Sequence, residues 1–244
     1  MSDVILGMGE VGETLFGLLN ERNFNCVGID LESSKCKNYY ENKPIENSEY
    51  FHVCLPGELP EFIEITLSWV PKLEGLKAIV IHSTVRPGTT KKIQEKASVP
   101  VLFSPVRGVH RRFLDDIKKY TKFIASDDEI NSKIKSDLEK RFQKVDWMST
   151  TKTGELAKIL VDTSYYGWLI NYAQITKMIC EKEGIDFDEM WKFADEIHEN
   201  LGNRPKMYPG IIGGHCVIPN LNLIEYESLD VIKKINEMYE SFKK

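Results

Sequence analysis

The stretch Val4-Ile5-Leu6-Gly7-Met8-Gly9-Glu10-Val11-Gly12 decides how this chain is read. A short apolar run ends in Gly-x-Gly-x-x-Gly, and Val11, Leu15, Leu18 and Leu19 then recur at helical spacing. Cys26-Val27-Gly28-Ile29-Asp30 follows as a second strand closed by an acid. A glycine turn between strand and helix, with an acid ending the next strand, is the context a dinucleotide-binding loop requires. Gly7 permits the tight turn, Gly9 lets backbone approach a pyrophosphate, and Gly12 lets helix and strand pack closely. Met8, Glu10 and Val11 complete the loop, and the helix N-terminus behind them favours an anion. Asp30 is expected to accept from ribose hydroxyls and to repel a 2′-phosphate, which favours NAD over NADP.

Further strand-like runs cover Tyr50 to Leu55, Ala78 to His82, Val101 to Phe103 and Thr121 to Ala125. A helical pattern through Phe62, Ile65, Trp69 and Val70 separates the first two. Each run ends in turn-forming or polar residues: Pro56-Gly57, Ser83-Thr84, Ser104-Pro105 and Ser126-Asp127. This alternation predicts an α/β fold with a doubly wound parallel sheet and ligands at the carboxyl ends of its strands. Leu55, Pro56, Ser83 and Thr84 are therefore expected beside the cofactor.

The second half reads differently. One proline-free helical pattern runs from Thr153 to Glu183 and ends at Gly184, a second from Phe187 to Asn200. The stretch from Pro205 to Asn220 is too rich in Gly and Pro for a helix or a central strand, and Ser228 to Lys244 reads as an amphipathic helix. The expected division is a dinucleotide-binding domain over 1–150 and a short helical extension over 151–244. The run Tyr165-Tyr166-Gly167-Trp168-Leu169-Ile170 is apolar on more sides than one buried face needs.

Composition bounds the class. The chain has 244 residues, 42% hydrophobic and 28% charged, which fits a globular protein with one or two domains. A net charge of -5 argues against a dedicated nucleic-acid binder. No apolar run approaches the roughly 18 residues that span a bilayer, and the N-terminus lacks signal-peptide features. The five cysteines are scattered with no C-x-x-C pair, so neither a disulfide framework nor a metal site is expected, and a cytoplasmic location is. Residues 86–122 nevertheless hold ten Lys+Arg against three Asp+Glu. Arg86, Arg107, Arg111 and Arg112 there would suit a phosphate or carboxylate substrate.

Taken in order, these motifs resemble the UDP-glucose/GDP-mannose dehydrogenases. The string is Gly7-x-Gly9-x-x-Gly12, Asp30, Val53-Cys54-Leu55-Pro56, Ser83-Thr84-Val85-Arg86-Pro87-Gly88-Thr89-Thr90, Ser104-Pro105, Glu155-Leu156-Ala157-Lys158 and Gly213-Gly214-His215-Cys216, with Pro219 close behind. The resemblance spans nearly the whole chain and implies a Rossmann-type sheet, NAD, and oxidation of a sugar-nucleotide alcohol through an aldehyde to an acid. Under it, Cys216 is the thiol that captures the aldehyde, Lys158 stabilises developing oxyanions and Thr84 helps position water. Lys158 and Asp162 lie four apart and share a helix face. Arg107, His110, Arg111, Lys158 and Gly213 are the substrate-binding candidates. A homodimer through the long helix is expected, since that helix packs against its copy in the family.

The chain also departs from the family pattern. The resemblance implies a further C-terminal nucleotide-sugar domain, whereas the sequence runs about one helix past Cys216, and a short form lacking that domain is expected. Val106 stands where the family has an acid after Ser-Pro. Asp162 replaces an Asn four after the lysine, and Asn220 replaces an Asp four after the cysteine. This pair reads as a reciprocal exchange and is expected to meet beside Cys216. Two other readings stay open: a single-step dehydrogenase of β-hydroxyacid type, and a non-catalytic dinucleotide-binding module completed by a partner.

Overall fold

The computed structural model describes residues 1–39, 45–108, 112–201, 208–214, 216–225 and 227–244. Three residues singled out from the sequence, His110, Arg111 and His215, lie outside the described residues. The chain divides into two compact units, Met1–Lys158 and Ile159–Lys244.

As far as β5 the first unit alternates strands and α-helices except between β2 and β3, where the described residues hold only a 3-10 turn at Ser33–Lys35. Its elements are β1 (Ser2–Leu6), α1 (Glu10–Glu21), β2 (Asn25–Ile29), β3 (Ser48–Val53), α2 (Phe62–Trp69), β4 (Ala78–Ile81), α3 (Thr89–Gln94) and β5 (Val101–Phe103). Then come α4 (Phe113–Lys119), β6 (Lys122–Ala125), α5 (Ser132–Phe142), β7 (Val145–Met148) and α6 (Thr151–Ala157). Among the described residues the strands form one seven-stranded sheet in the order β2-β1-β3-β4-β5-β6-β7. The central strand β4 is buried along its whole length, as a strand covered on both faces must be. One apolar cluster, with Ile5, Leu15, Leu18 and Leu102, fills one face; another, with Val4, Phe51, Ile79 and Phe103, fills the other.

The parallel sheet expected from the sequence holds from β2 to β5 and again between β6 and β7. It is corrected at the junction, where β5 and β6 pair antiparallel at Phe103 and Ala125. Lys122 gives the physical reason. Its Nζ, on the first residue of β6, donates to the carbonyls of Ser104 (2.7 Å) and Pro105 (3.0 Å), just past the end of β5. Lys122 is thus anchored beyond the end of β5, and β6 runs back from there until its last residue, Ala125, pairs with Phe103, the last residue of β5.

The helical path beyond Ala157 is not uniform. Lys158–Ser164 winds as a π-helix before α7 (Tyr165–Glu183), which ends at Gly184 with φ 68°. α8 (Phe187–Leu201) packs through Phe187, Met190 and Trp191 against Ala173 and Cys180 of α7. The Gly/Pro-rich stretch needs a correction, because Val217–Leu221 forms a short helix, α9. Pro219 fits there because it is the third residue, and the N–H groups of a first turn have no intrahelical partner to lose. α10 (Glu227–Lys243) closes the unit, whose core joins Ile159, Ile212, Leu221, Leu223, Ile224 and Ile232.

Candidate active site

The glycine loop is built as its spacing requires. Gly7 adopts φ 90°, and a Cβ on Gly12 would lie 1.9 Å from the Gly7 carbonyl oxygen. Only glycine lets α1 start so close to β1. A Cβ on Gly9, in contrast, would meet nothing within 4 Å among the described residues, so the loop is open on that side. The Gly9 position has no side chain to cap the first turn of α1. An open glycine at the head of a twelve-residue helix suits an anion. Glu10 and Glu13 in that turn offer carboxylates that would oppose a close anion from the helix flank.

Asp30 takes two roles. Its Oδ2 accepts from the Met8 N–H at 2.7 Å and its Oδ1 from the Glu32 N–H at 3.0 Å. The carboxylate thus braces the glycine loop directly, and its remaining lone pairs are what it has for a ribose. Met8 faces inward: it is 1% exposed, and its Sδ fills the space a Cβ on Gly28 would need. Met8 shapes the loop from below instead of presenting its side chain to a ligand. Val11 and Leu55 are half-buried against the two apolar clusters, and Pro56 is exposed at the strand end.

The turn after β4 is held by a buried acid. Glu155 on α6 is 0% exposed. Its Oε2 accepts from the Gly88 N–H at 2.5 Å, and its Oε1 accepts from the Thr90 N–H at 2.9 Å and the Thr90 hydroxyl at 2.7 Å. Burial raises its pKa, opposed by these three bonds. Glu155 thereby ties the N-terminus of α3, and the Arg86–Thr90 turn, to the helix that leads into Lys158. Ser83 is buried with its hydroxyl toward the Val53 carbonyl at 3.4 Å, while Thr84 is half-buried.

In the second unit, Cys216 is exposed and immediately precedes α9. Gly214, two residues earlier, takes φ 73°, a left-handed conformation that glycine adopts without strain. Asp162 is half-buried on the π-helical segment. Asn220 on α9 directs its Nδ2 toward the hydroxyl of Thr163 at 3.5 Å, one residue beyond Asp162. Local widening of a helix of this kind is frequent at functional sites. Here Lys158 is the first residue of the widened segment.

No family model matches the chain. The UDP-N-acetyl-D-mannosamine dehydrogenase of Methanocaldococcus jannaschii is 25% identical over 256 residues, covering 87% of this chain. The match covers 58% of that relative, so the chain spans less than two thirds of the curated relative's length. The chain is thus similar in sequence to enzymes named as nucleotide-sugar dehydrogenases. Among solved structures, the UDP-D-ManNAc dehydrogenase of Pyrococcus horikoshii superposes with TM-score 0.80 at 19% identity, over 99% of this chain and 69% of that one. The 3-hydroxyisobutyrate dehydrogenase of Mycobacterium tuberculosis superposes with TM-score 0.66 at 14% identity, over 99% of this chain and 93% of that one.

Set against the dehydrogenase pattern, two positions stand out. Val106, where the family resemblance implies an acid, is 6% exposed and belongs to the apolar core. Arg107 is engaged in packing. Its Nη2 donates to the Thr121 carbonyl at 2.7 Å, and its guanidinium lies over the rings of Tyr120 and Phe123. In this arrangement it buttresses β6, which a reading from charge alone does not anticipate.

The sequence also concealed a buried polar array. Arg141 donates from Nε and Nη2 to both oxygens of Asp3, at 2.6 and 2.9 Å. Asp3 Oδ2 lies 3.4 Å from His52 Nε2, and His52 Nδ1 lies 2.9 Å from His82 Nε2. His82 Nδ1 reaches the Ser104 carbonyl at 2.7 Å and Lys122 Nζ at 3.2 Å. Burial drives both histidines below their ordinary pKa, His82 furthest, so both rings are neutral near pH 7. Burial works to raise the Asp3 carboxyl, but the bonds from His52 and Arg141 outweigh it and hold it low. Lys122 is pushed down to about 7, chiefly by burial, with Lys158 and Arg107 adding repulsion. Burial lifts the neighbouring Cys54 thiol to about 12, which makes it an inert thiol at neutral pH.

Proposed function

We propose that the chain is an NAD-dependent oxidoreductase acting on an alcohol of a sugar nucleotide or a related anionic sugar. The observation that carries this reading is the glycine loop: closed to any side chain at Gly12, open at Gly9, and braced by Asp30 through Met8. Gly7, Gly9, Gly12 and Asp30 would hold the dinucleotide, with Leu55, Pro56, Ser83 and Thr84 at the neighbouring strand ends. The two bonds Asp30 already makes leave lone pairs for ribose hydroxyls, and its charge disfavours a 2′-phosphate. When bound, NAD supplies the hydride acceptor.

The chain's own residues supply the rest. Oxidation of the alcohol releases a proton as the hydride departs, and the Lys158 amine is the group assigned to the developing oxyanion. Cys216 Sγ would then add to the aldehyde carbon, forming a C–S bond while the carbonyl oxygen takes a proton. Loss of a second hydride, for which a second NAD would be the acceptor, together with the hydroxyl proton leaves a thioester. Water then breaks the C–S bond and restores the thiol, with Thr84 as the residue to orient that water. The names of the curated relatives point to UDP-N-acetyl-D-mannosamine as the substrate to try first. Tyr165, Trp168 and Tyr172 on α7 are 50, 42 and 60% exposed, which supports a homodimer through this helix, and the scattered cysteines support a reducing, cytoplasmic setting.

A second reading is a single two-electron oxidation, as in β-hydroxyacid dehydrogenases. It is favoured by the apolar Val106 and by the nearly full-length superposition on the 3-hydroxyisobutyrate enzyme. Two variants separate the readings. Under the four-electron reaction, Lys158→Ala abolishes NADH formation and Cys216→Ser removes the second NADH. Under the single oxidation, Cys216→Ser is mild and Lys158→Ala severe. NAD binding without turnover on any alcohol refutes both and leaves a binding module.

A further inference from the structure

The segment that leads to Cys216 is held from behind by buried amides. Asn171 and Gln174 lie on α7 and Asn236 on α10, and they are 0, 0 and 9% exposed. Gln174 Nε2 donates to the Gly210 carbonyl at 2.7 Å and to Asn236 Oδ1 at 3.1 Å. Asn236 Oδ1 also accepts from the Ile212 N–H at 2.7 Å, while its Nδ2 donates to the Ile212 carbonyl at 3.3 Å. Asn236 therefore treats Ile212 as a neighbouring strand would, satisfying both backbone groups of one residue. Asn171 Nδ2 donates to Gln174 Oε1 at 2.7 Å, which fixes the direction in which the Gln174 amide faces.

Residues 208–214 belong to no helix or strand, so their buried backbone groups must find side-chain partners. These amides provide them. The arrangement carries a penalty, because Asn171 Oδ1 is buried with no partner among the described residues. Apolar side chains would join α7 to α10 without that penalty. What they would not do is fix the path of the loop. Gly213 and Gly214 have no side chains to fix it either, so the backbone entering Cys216 is set by Gly210 and Ile212 on one side and α9 on the other.

We propose that Gln174 and Asn236 are positioning residues for Cys216, forming an amide latch that sets where the thiol stands. The proposal rests on the reading of Cys216 as the reacting thiol. Its test compares the native chain with Gln174→Glu and Asn236→Asp by hydrogen exchange and by NADH formation from UDP-N-acetylmannosamine. Gln174→Glu keeps shape but turns an oxygen toward the Gly210 carbonyl. Asn236→Asp keeps the acceptor that serves Ile212 and Gln174 and loses only the longer bond, the 3.3 Å donation to the Ile212 carbonyl.

In Gln174→Glu, amides of 208–214 should exchange about tenfold faster or more, while those of the sheet keep their protection. Its kcat should fall about tenfold with the KM for NAD unchanged, and Asn236→Asp should keep about half the native rate. Faster exchange with native kcat would overturn the proposal, because the amides would then serve stability alone. If the native chain forms no NADH from this substrate or from UDP-, GDP- and ADP-sugars and sugar phosphates, the oxidoreductase reading fails by itself. The latch is then judged on exchange, where unchanged rates at 208–214 in Gln174→Glu overturn it.

Discussion

Lys122 offers the sharpest test of the packing inside the first unit. Its ammonium is buried, donating to the carbonyls of Ser104 and Pro105 and touching His82. Its pKa falls from 10.5 to about 7 on folding, with burial the main cause. That difference is linked to about 5 kcal/mol, since one pKa unit is worth about 1.4 kcal/mol. The sign follows from proton counting. Between pH 7 and 10.5 the unfolded chain holds a proton on Lys122 that the folded chain has lost. Unfolding free energy therefore rises with pH across that window, by up to about 1.4 kcal/mol per unit. Below pH 7 both states are protonated and the desolvation penalty is fully present.

Lys122→Met keeps the stem and removes the titrating group. Two carbonyls then lose a donor, a loss of about 1–3 kcal/mol each, which the relieved desolvation offsets at low pH. The decisive quantity is the slope. Urea unfolding of both proteins from pH 7 to 9.5, followed by tryptophan fluorescence, should show wild-type stability climbing relative to the variant at equal m values. Parallel profiles would refute the reasoning, because every other group titrates in both chains.

Three further outcomes follow from the same geometry. Gly12→Ala places a methyl 1.9 Å from the Gly7 carbonyl oxygen and should lower the thermal midpoint and abolish NAD binding by calorimetry, a destabilisation of about 2 kcal/mol or more. Glu155→Ala strands the Gly88 and Thr90 N–H groups and should cost about 3 kcal/mol in urea unfolding. The His52–His82 pair has folded pKa values below 6.5, so stability is present above pH 6.5 and drains as pH falls below it. His82→Asn should flatten this acid limb; an unchanged limb would show that the histidines do not titrate on unfolding.

Much of the fold could be read from the chain because its signals are local. Gly7, Gly9 and Gly12 sit between a periodic strand and a periodic helix, and packing at Gly12 permits no other residue. Strand direction was not legible at β6, since four apolar-rich residues look alike in either sense, and Lys122 chooses between them through carbonyls eighteen and seventeen residues away. Charge suggested a substrate role for Arg107, yet aromatic neighbours at 120 and 123 draw it into packing. The array from Arg141 to Lys122 draws on β1, β3, the end of β4, β6 and α5, so no spacing announces it. The amides of α7 and α10 were hidden for the same reason: each reads as an ordinary polar residue until the loop at Ile212 arrives between them.

Oxidation of an anionic sugar alcohol with NAD is tested most directly by counting NADH formed per substrate consumed, with UDP-, GDP- and ADP-sugars and simple sugar phosphates. Two NADH per UDP-N-acetylhexosamine and an acid product are expected, with one NADH identifying the single-step alternative. No NADH from the whole panel, with NAD binding intact, would contradict the proposed activity.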